Sequence, residues 1–122
     1  MARLTLLSPL AGWALPVEEI PDPVFAQRMV GDGVGIDPIN DVLHAPCDGR
    51  VFPIAGASHA LSLRTVDGGE ILLHLGIDTV KLGGAGFQSL VGEGELVRAG
   101  QPLLRFDLDL VARRAPSAVT PI

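Results

Sequence analysis

Apolar residues along this chain occur in short runs, and glycine or proline interrupts each run after a few positions. The runs are rich in Val, Leu and Ile, a pattern typical of strands. Helical periodicity is weak, and only residues 108–114, followed by Pro116, predict a short helix. The predicted strands cover residues 4–8, 12–17, 33–37, 41–45, 49–54, 59–65, 70–75, 87–91 and 102–108. This succession of short strands predicts an all-β fold, an antiparallel sandwich or barrel.

Two segments repeat one turn-to-strand pattern. Residues 8–17 and 45–54 both contain Pro-x-x-Gly, three further residues, and then proline followed by a β-branched residue. Proline presets φ and glycine accepts positive φ, so each copy predicts a tight turn that opens a strand. The repeat places residues 8–17 inside the fold and not in a cleaved leader. Residues 115–122 are expected to form either a closing strand or the start of a linker.

Composition narrows the possible classes of function. The 122 residues are 48% hydrophobic but only 4% aromatic, which is enough for one domain with an aliphatic core. The net charge of −5 argues against a nucleic-acid partner and suits a basic protein partner. No apolar run reaches the roughly 20 residues that span a bilayer, and the single cysteine, Cys47, fits a reducing compartment. We therefore expect a soluble, cytoplasmic protein without direct membrane insertion.

Two of the three histidines flank a predicted hairpin. Its Asp67-Gly68 dipeptide favours a two-residue type I′ turn, which would pair Leu61 with His74. His59 would then lie two positions along on the same face, roughly 7–8 Å away diagonally. A turn that differs by one residue would move His74 to the other face. The apolar residues predicted on the face of the two histidines are Leu61, Leu63 and Leu72.

Three chemistries can use such a pair of imidazoles. Zinc normally needs three or four protein ligands, and the chain has no His-x-His motif and no second cysteine, so we predict no metal site. Hydrolysis could use Asp78, four residues after His74, but no serine or cysteine stands in a nucleophile motif. Phosphoryl transfer needs one imidazole as nucleophile and a second that donates to the phosphoryl oxygens. Two partly buried core histidines remain the purely structural alternative.

The order of motifs over residues 4–122 resembles the IIA component of the glucose family of the bacterial sugar phosphotransferase system. Its most specific part is Leu73-His74-Leu75-Gly76-Ile77-Asp78-Thr79-Val80. The other landmarks lie at residues 8–12, 21–26, 30–36, 45–49, 58–62, 106–108 and 120–122. The resemblance implies a flattened antiparallel β-sandwich, or barrel-sandwich hybrid, with short helical turns. It also implies that residues 1–122 form a single glucose-type IIA phosphocarrier domain.

The same resemblance implies a route for a phosphoryl group. A basic phosphocarrier protein, phosphorylated on histidine, would pass the group to His74, and His74 would pass it to a cysteine of a IIB domain. The sugar is expected to be glucose or N-acetylglucosamine, and no cofactor is implied. His59 matches the family's partner histidine. Four further residues match positions that bind the partner proteins: Asp22, Phe25, Asp78 and Val80.

Some positions differ from the family pattern. Family members often carry threonine or asparagine just before the partner histidine, where this chain has Ala57 and Ser58. Ala55 and Leu72 stand where aromatic residues are common. These differences bear on the hydrogen bonding of His59 and on partner preference. The short Met1-Ala2-Arg3 leader and the proline-containing end lead us to expect a domain cut from a longer polypeptide.

Two rival functions stay open on the sequence. Residues 92–104 look similar to a biotinyl or lipoyl carrier, whose modified lysine stands at a hairpin tip, and Lys81 is the only lysine. A zinc-dependent, peptidase-like hydrolase can share this style of sandwich, although the chain offers no obvious third ligand.

Overall fold

The computed structural model describes residues 5–54 and 57–122. Within these ranges the chain forms ten short strands, two short α-helices and two 3₁₀ turns. The strands are β1 Gly12–Pro16, β2 Val34–Pro38, β3 Val42–His44, β4 Gly49–Pro53, β5 Ala60–Arg64, β6 Glu70–His74, β7 Phe87–Ser89, β8 Leu96–Val97, β9 Pro102–Phe106 and β10 Thr120–Pro121. The helices are α1 Pro23–Ala26 and α2 Leu108–Arg114, and the 3₁₀ turns are Val17–Glu19 and Thr79–Leu82.

The strands form three antiparallel sheets, with the orders β1-β2-β10, β3-β9-β7 and β6-β5-β4-β8. Their inward side chains share one aliphatic core, to which the sheets contribute Ile36, Leu43, Val51, Leu61, Leu63, Leu73, Leu103, Leu104 and Phe106. A smaller cluster of Val17, Ile20 and Ile77 packs with Leu15, Phe25 and Val119. The predicted all-β antiparallel class is confirmed.

The repeated segments open strands as predicted, although Gly49 does not take a positive φ. Each Pro-x-x-Gly sequence opens a strand at its glycine, and each strand ends at the next proline, giving β1 and β4. The helix predicted over residues 108–114 is α2, which Asp107 caps by accepting a hydrogen bond from the Leu110 amide. Residues 120–121 close the fold as β10 against β2. Of the predicted strand 4–8, residues 5–8 are not extended in a sheet, and Leu4 lies outside the described residues.

The predicted two-residue turn between β5 and β6 is wrong. The Gly68 amide donates to the Thr65 carbonyl, and Gly68 has φ of +86°, so the loop has three residues, 66–68. His74 therefore pairs with Ala60, and Leu72 pairs with Ser62. The one-residue slip moves Leu61 and Leu63 to the core face, away from His74.

No helix among residues 5–54 and 57–122 is long and apolar enough to cross a membrane.

Candidate functional site

His74 is the last residue of β6, and its half-buried ring has a defined hydrogen bond. Its Nδ1 lies 2.8 Å from the carbonyl oxygen of Gly76. A carbonyl can only accept, so Nδ1 carries the proton in the neutral ring. The other nitrogen, Nε2, then keeps its lone pair and is the nucleophilic atom of this imidazole.

Gly76, the acceptor of that bond, stands in a position that suits glycine alone. Its φ is +77°, and a Cβ there would lie 2.5 Å from Cγ2 of Thr79. Its amide donates to Oγ1 of Thr120 at 3.3 Å. The Thr79 hydroxyl donates to the Leu75 carbonyl at 2.6 Å. Strand β10 and the second 3₁₀ turn therefore both hold the backbone that orients His74.

His59 lies immediately before β5, and its ring meets the ring of His74. The two ring centroids are 4.8 Å apart at an interplanar angle of 77°. His59 stands opposite Leu75, whose amide donates to the His59 carbonyl. Strand alternation would therefore point His59 to the side of Leu75, which is the side away from His74. Because His59 is in a turn and outside β5, its side chain escapes that alternation. The predicted convergence of the imidazoles is confirmed, although the register that predicted it was wrong.

The environment of His59 favours its neutral form. The side chain is only 5% exposed. Burial lowers the pKa of His59, and charge repulsion from His74 lowers it further. An anion that binds between the rings would reverse this balance, because it would favour the imidazolium form.

Two phenylalanines flank the histidine pair. Phe25, in α1, packs its ring 5.1 Å from that of His74, at an angle of 54°. Phe87, in β7, lies beside His59, with ring centroids 6.2 Å apart. Sequence reasoning found Phe25 but missed Phe87, whose only signal is an aromatic residue after the glycine-rich stretch 83–86.

The other residues singled out in the sequence lie on neighbouring segments. Asp22 caps α1, with its carboxylate accepting from the Val24 amide at 2.9 Å. Asp78 precedes the second 3₁₀ turn with φ of +54°, and its carboxylate lies 3.7 Å from Lys81 Nζ. Val80, in that turn, is 59% exposed. The structure thus places Phe25 in contact with His74, whereas Asp22, Asp78 and Val80 stand on exposed or half-exposed positions of adjoining segments. Ala55 lies outside the described residues.

An apolar cleft of about 620 Å³ is lined by Phe25, Leu72, Ile54 and Val30, among other residues. Its polar edge includes Ser62, whose hydroxyl donates to Glu70 at 2.9 Å. Neither histidine lines the cleft, but Phe25 both lines it and packs against the His74 ring. A concave apolar surface of this kind suits a protein partner.

Comparison with known families settles the relationship. Residues 4–122 match the family described as phosphoenolpyruvate-dependent sugar phosphotransferase system, EIIA 1. This chain belongs to that family. As an EIIA component it is a phosphoryl-transfer protein of sugar uptake, which confirms the resemblance found in the sequence.

Relatives of this EIIA chain are similar over nearly its whole length. It is 47% identical to the glucose-specific EIIA component of Bacillus cereus, covering 97% of this chain and 72% of that protein. It is 46% identical to a glucose-specific EIICBA component of Staphylococcus saprophyticus, covering 99% of this chain and 18% of that protein. Among solved structures, glucose permease IIA of Mycoplasma capricolum is 42% identical with a TM-score of 0.92, covering 97% of this chain and 77% of that one. The predicted β-sandwich is thereby confirmed.

The geometry of this EIIA chain does not favour the two rival functions. Lys81 lies within a 3₁₀ turn beside Asp78, not at the tip of a hairpin as a prosthetic-group carrier requires. Across residues 5–54 and 57–122, no group of three or more His, Cys, Asp or Glu side chains is arranged to hold a metal ion.

Proposed function

We propose that His74 of this EIIA chain carries a phosphoryl group from a histidine-phosphorylated phosphocarrier protein to a IIB cysteine, for the uptake of glucose. The observation that supports the assignment most directly is the hydrogen bond between His74 Nδ1 and the Gly76 carbonyl, which leaves Nε2 as the nucleophile. Glucose is inferred from the glucose-specific relatives. We also propose that residues 1–122 act as one IIA domain in the cytoplasm.

The first transfer exchanges one phosphorus–nitrogen bond for another. The lone pair of His74 Nε2 attacks the phosphorus, and the electron pair of the broken bond returns to the donor imidazole. Both sides of the exchange hold a phosphorylated and a free imidazole, so the step needs no other co-reactant. The protein contributes position and electrostatic support, as is usual for phosphoryl transfer.

His59 supplies that electrostatic support. Its ring is close enough to His74 for a nitrogen of His59 to donate to a phosphoryl oxygen on Nε2. The phosphoryl group carries negative charge, which favours protonation of a histidine whose pKa is otherwise lowered by burial. His59 is thus a weak base in the free protein and a donor once His74 is phosphorylated.

The second transfer regenerates His74. A IIB cysteine thiolate attacks the phosphorus, a phosphorus–sulfur bond forms, and the electron pair of the broken bond returns to Nε2. The IIB partner is inferred from the resemblance and from the EIICBA name of the staphylococcal relative. Both partners would use the surface around His74, with Phe25 and Val80 as apolar contacts and Asp22 and Asp78 facing basic side chains.

A phosphorylation assay tests the proposal. The chain is incubated with phosphoenolpyruvate, enzyme I and the phosphocarrier protein, and intact mass is measured. We expect one added, acid-labile phosphoryl group, which is lost in His74→Ala. His44→Ala serves as the matched control, because His44 is also half-buried but lies in β3, outside the pair.

The two alanine variants show which histidine is phosphorylated. Loss of labelling in His74→Ala together with retention in His44→Ala supports the assignment, provided that circular dichroism shows both variants folded. Undiminished labelling of folded His74→Ala would overturn it.

A further inference from the structure

Phe87 is an aromatic neighbour of His59. Its ring centroid lies 6.2 Å from that of His59, at an interplanar angle of 58°. The His74 ring is the other aromatic neighbour, with its centroid 4.8 Å from that of His59. The His59 imidazole therefore has beside it both the residue that is proposed to carry the phosphoryl group and a residue whose side chain has no polar group.

Packed neighbours surround the His59 side chain. Within residues 5–54 and 57–122, no hydrogen bond joins a ring nitrogen of His59 to another side chain or to the backbone. The residue is nevertheless buried, with only 5% of it exposed. The rotamer of a buried side chain is restricted by the surfaces that contact it.

Phe87 is itself firmly anchored. It pairs with Phe106 of β9 and packs against the main core. Its amide donates to the Gly84 carbonyl at 3.2 Å. A Cβ on Gly84 would lie 3.0 Å from the hydroxyl oxygen of Ser58, the residue before His59. The segment from Gly84 to Phe87 thus lies against both the side chain of Ser58 and the His59 ring.

We propose that Phe87 is a positioning residue for His59, which holds the imidazole turned toward the phosphoryl group on His74. The inference rests on the proposed function of the histidine pair and adds to it a residue that acts through His59. Without the Phe87 ring, the space beside His59 lets the imidazole turn away from His74, and a donor displaced by about 1 Å loses much of its effect on the transfer.

The test compares two leucine substitutions at adjacent positions. Phe87→Leu removes the ring beside His59, and Phe106→Leu removes the ring opposite Phe87 that is buried in the core. Both delete an aromatic ring from one strand pair, so both are expected to destabilise the fold. Only the first changes the contact with His59. Phe87→Tyr keeps the ring and serves as the conservative variant.

The first readout is independent of activity. ¹⁵N-detected NMR of the histidine rings reports the tautomer and titration of His59 in the whole chain. We expect the His59 signals to shift in Phe87→Leu, with a midpoint closer to that of an exposed histidine, and to stay near wild type in Phe106→Leu and Phe87→Tyr. Unchanged His59 signals in folded Phe87→Leu would overturn the proposal.

The second readout is onward transfer to a IIB domain from chain already phosphorylated on His74. We expect Phe87→Leu to slow this step about three- to tenfold, and we expect the loss to vanish in a His59→Gln background. Phe106→Leu should show no such coupling. If Phe87→Leu slows the transfer equally in the wild-type and His59→Gln chains, Phe87 does not act through His59 and the proposal is wrong. Full activity of the His59→Gln variant itself would also contradict it, because the position of His59 would then not matter for the transfer. Failure of the proposed function would instead appear as labelling of His74→Ala, whatever the NMR result.

Discussion

At the residue scale, the decisive contact is the one between His74 Nδ1 and the Gly76 carbonyl. It selects a single tautomer of the neutral ring, in which Nε2 keeps its lone pair, and the ring lies beside that of His59. The two histidines are thereby made chemically different, although they are the same residue type. One is half-buried and oriented by the backbone, and the other is buried and oriented by aromatic packing.

The burial of His59 predicts an acid-sensitive fold. The pKa of His59 is lowered in the folded chain, so between that value and about 6.5 the unfolded chain binds more protons. The contribution of His59 to the free energy of unfolding should therefore be complete above about pH 6.5. It should decrease as the pH falls toward the lowered pKa, with a slope of at most about 1.4 kcal/mol per pH unit.

Urea denaturation between pH 5 and pH 7.5, compared for wild type and His59→Gln, checks this prediction. The glutamine variant should lose the slope contributed by His59, whereas His44→Gln should keep it. A wild-type curve that parallels the His59→Gln curve would show that His59 titrates normally in the folded chain.

At the scale of elements, the site depends on how β6 ends. The chain leaves β6 at His74, turns through Gly76 and enters the 3₁₀ turn at Thr79, and β10 supports this passage through Thr120. The chain segment that carries the proposed nucleophile is thus held by a residue 44 positions later in the chain. Closing β10 onto β2 is part of building the site, not only of completing a sheet.

Substitution of Gly76 tests this dependence. Gly76→Ala forces a Cβ against Thr79 and a strained positive φ, so we expect about 1–3 kcal/mol of destabilisation. We also expect slower phosphorylation of His74, because the displaced carbonyl orients its ring less well. Gly92→Ala is the matched control, since nothing lies within 4 Å of a Cβ there and its φ is not positive.

Thermal melts and single-turnover phosphorylation of both glycine variants provide the measurement. Near-normal stability and rate in Gly76→Ala would contradict this prediction, because they would show that the turn accepts a side chain without displacing the carbonyl that orients His74.

At the scale of the whole molecule, charge determines how partners approach. The chain has a formal charge of −5, and the donor expected from the family is basic. Opposite net charges raise association rates, and salt reduces this gain. Asp78 is exposed and lies four residues after His74, so we propose that it contributes to this attraction where the donor binds.

Two asparagine substitutions separate local from global charge. Asp78→Asn and Asp67→Asn change the net charge equally, but Asp67 lies in loop 66–68, at the end of β6 away from His74. We expect Asp78→Asn to lower the second-order rate of phosphorylation by the donor about two- to fivefold at low salt and to flatten its salt dependence. Asp67→Asn should stay within about 1.5-fold of wild type. Equal effects of the two variants would assign the attraction to net charge and not to Asp78.

Several features of the fold were predictable because their causes are local. Proline and glycine act through their own φ, so the two Pro-x-x-Gly turns and the strands that follow them could be placed from the sequence. Asp107 caps and Pro116 follows α2, so its bounds were predictable as well. The turn between β5 and β6 was not, since a two-residue and a three-residue loop both accommodate Asp67-Gly68.

The candidate site also contains residues that were predictable from the sequence and residues that were not. The motif around His74 and the partner His59 were visible in the sequence, as were Phe25, Asp22, Asp78 and Val80 through family resemblance. Phe87 was not visible, because β7 reaches His59 only through its pairing with β9. The role of Thr120 was also hidden, since its hydroxyl meets Gly76 only after β10 docks.

The sequence by itself therefore determined an aliphatic, all-β chain of the EIIA family with its two histidines close in a hairpin. Turn chemistry, strand patterning and motif order are properties of neighbouring residues, so they can be read without the fold. Only the tertiary structure decided how the imidazoles meet, which nitrogen of His74 is free and what encloses His59. Those features depend on a turn outside β5, a carbonyl after β6 and a ring from another sheet, which are contacts between distant parts of the chain.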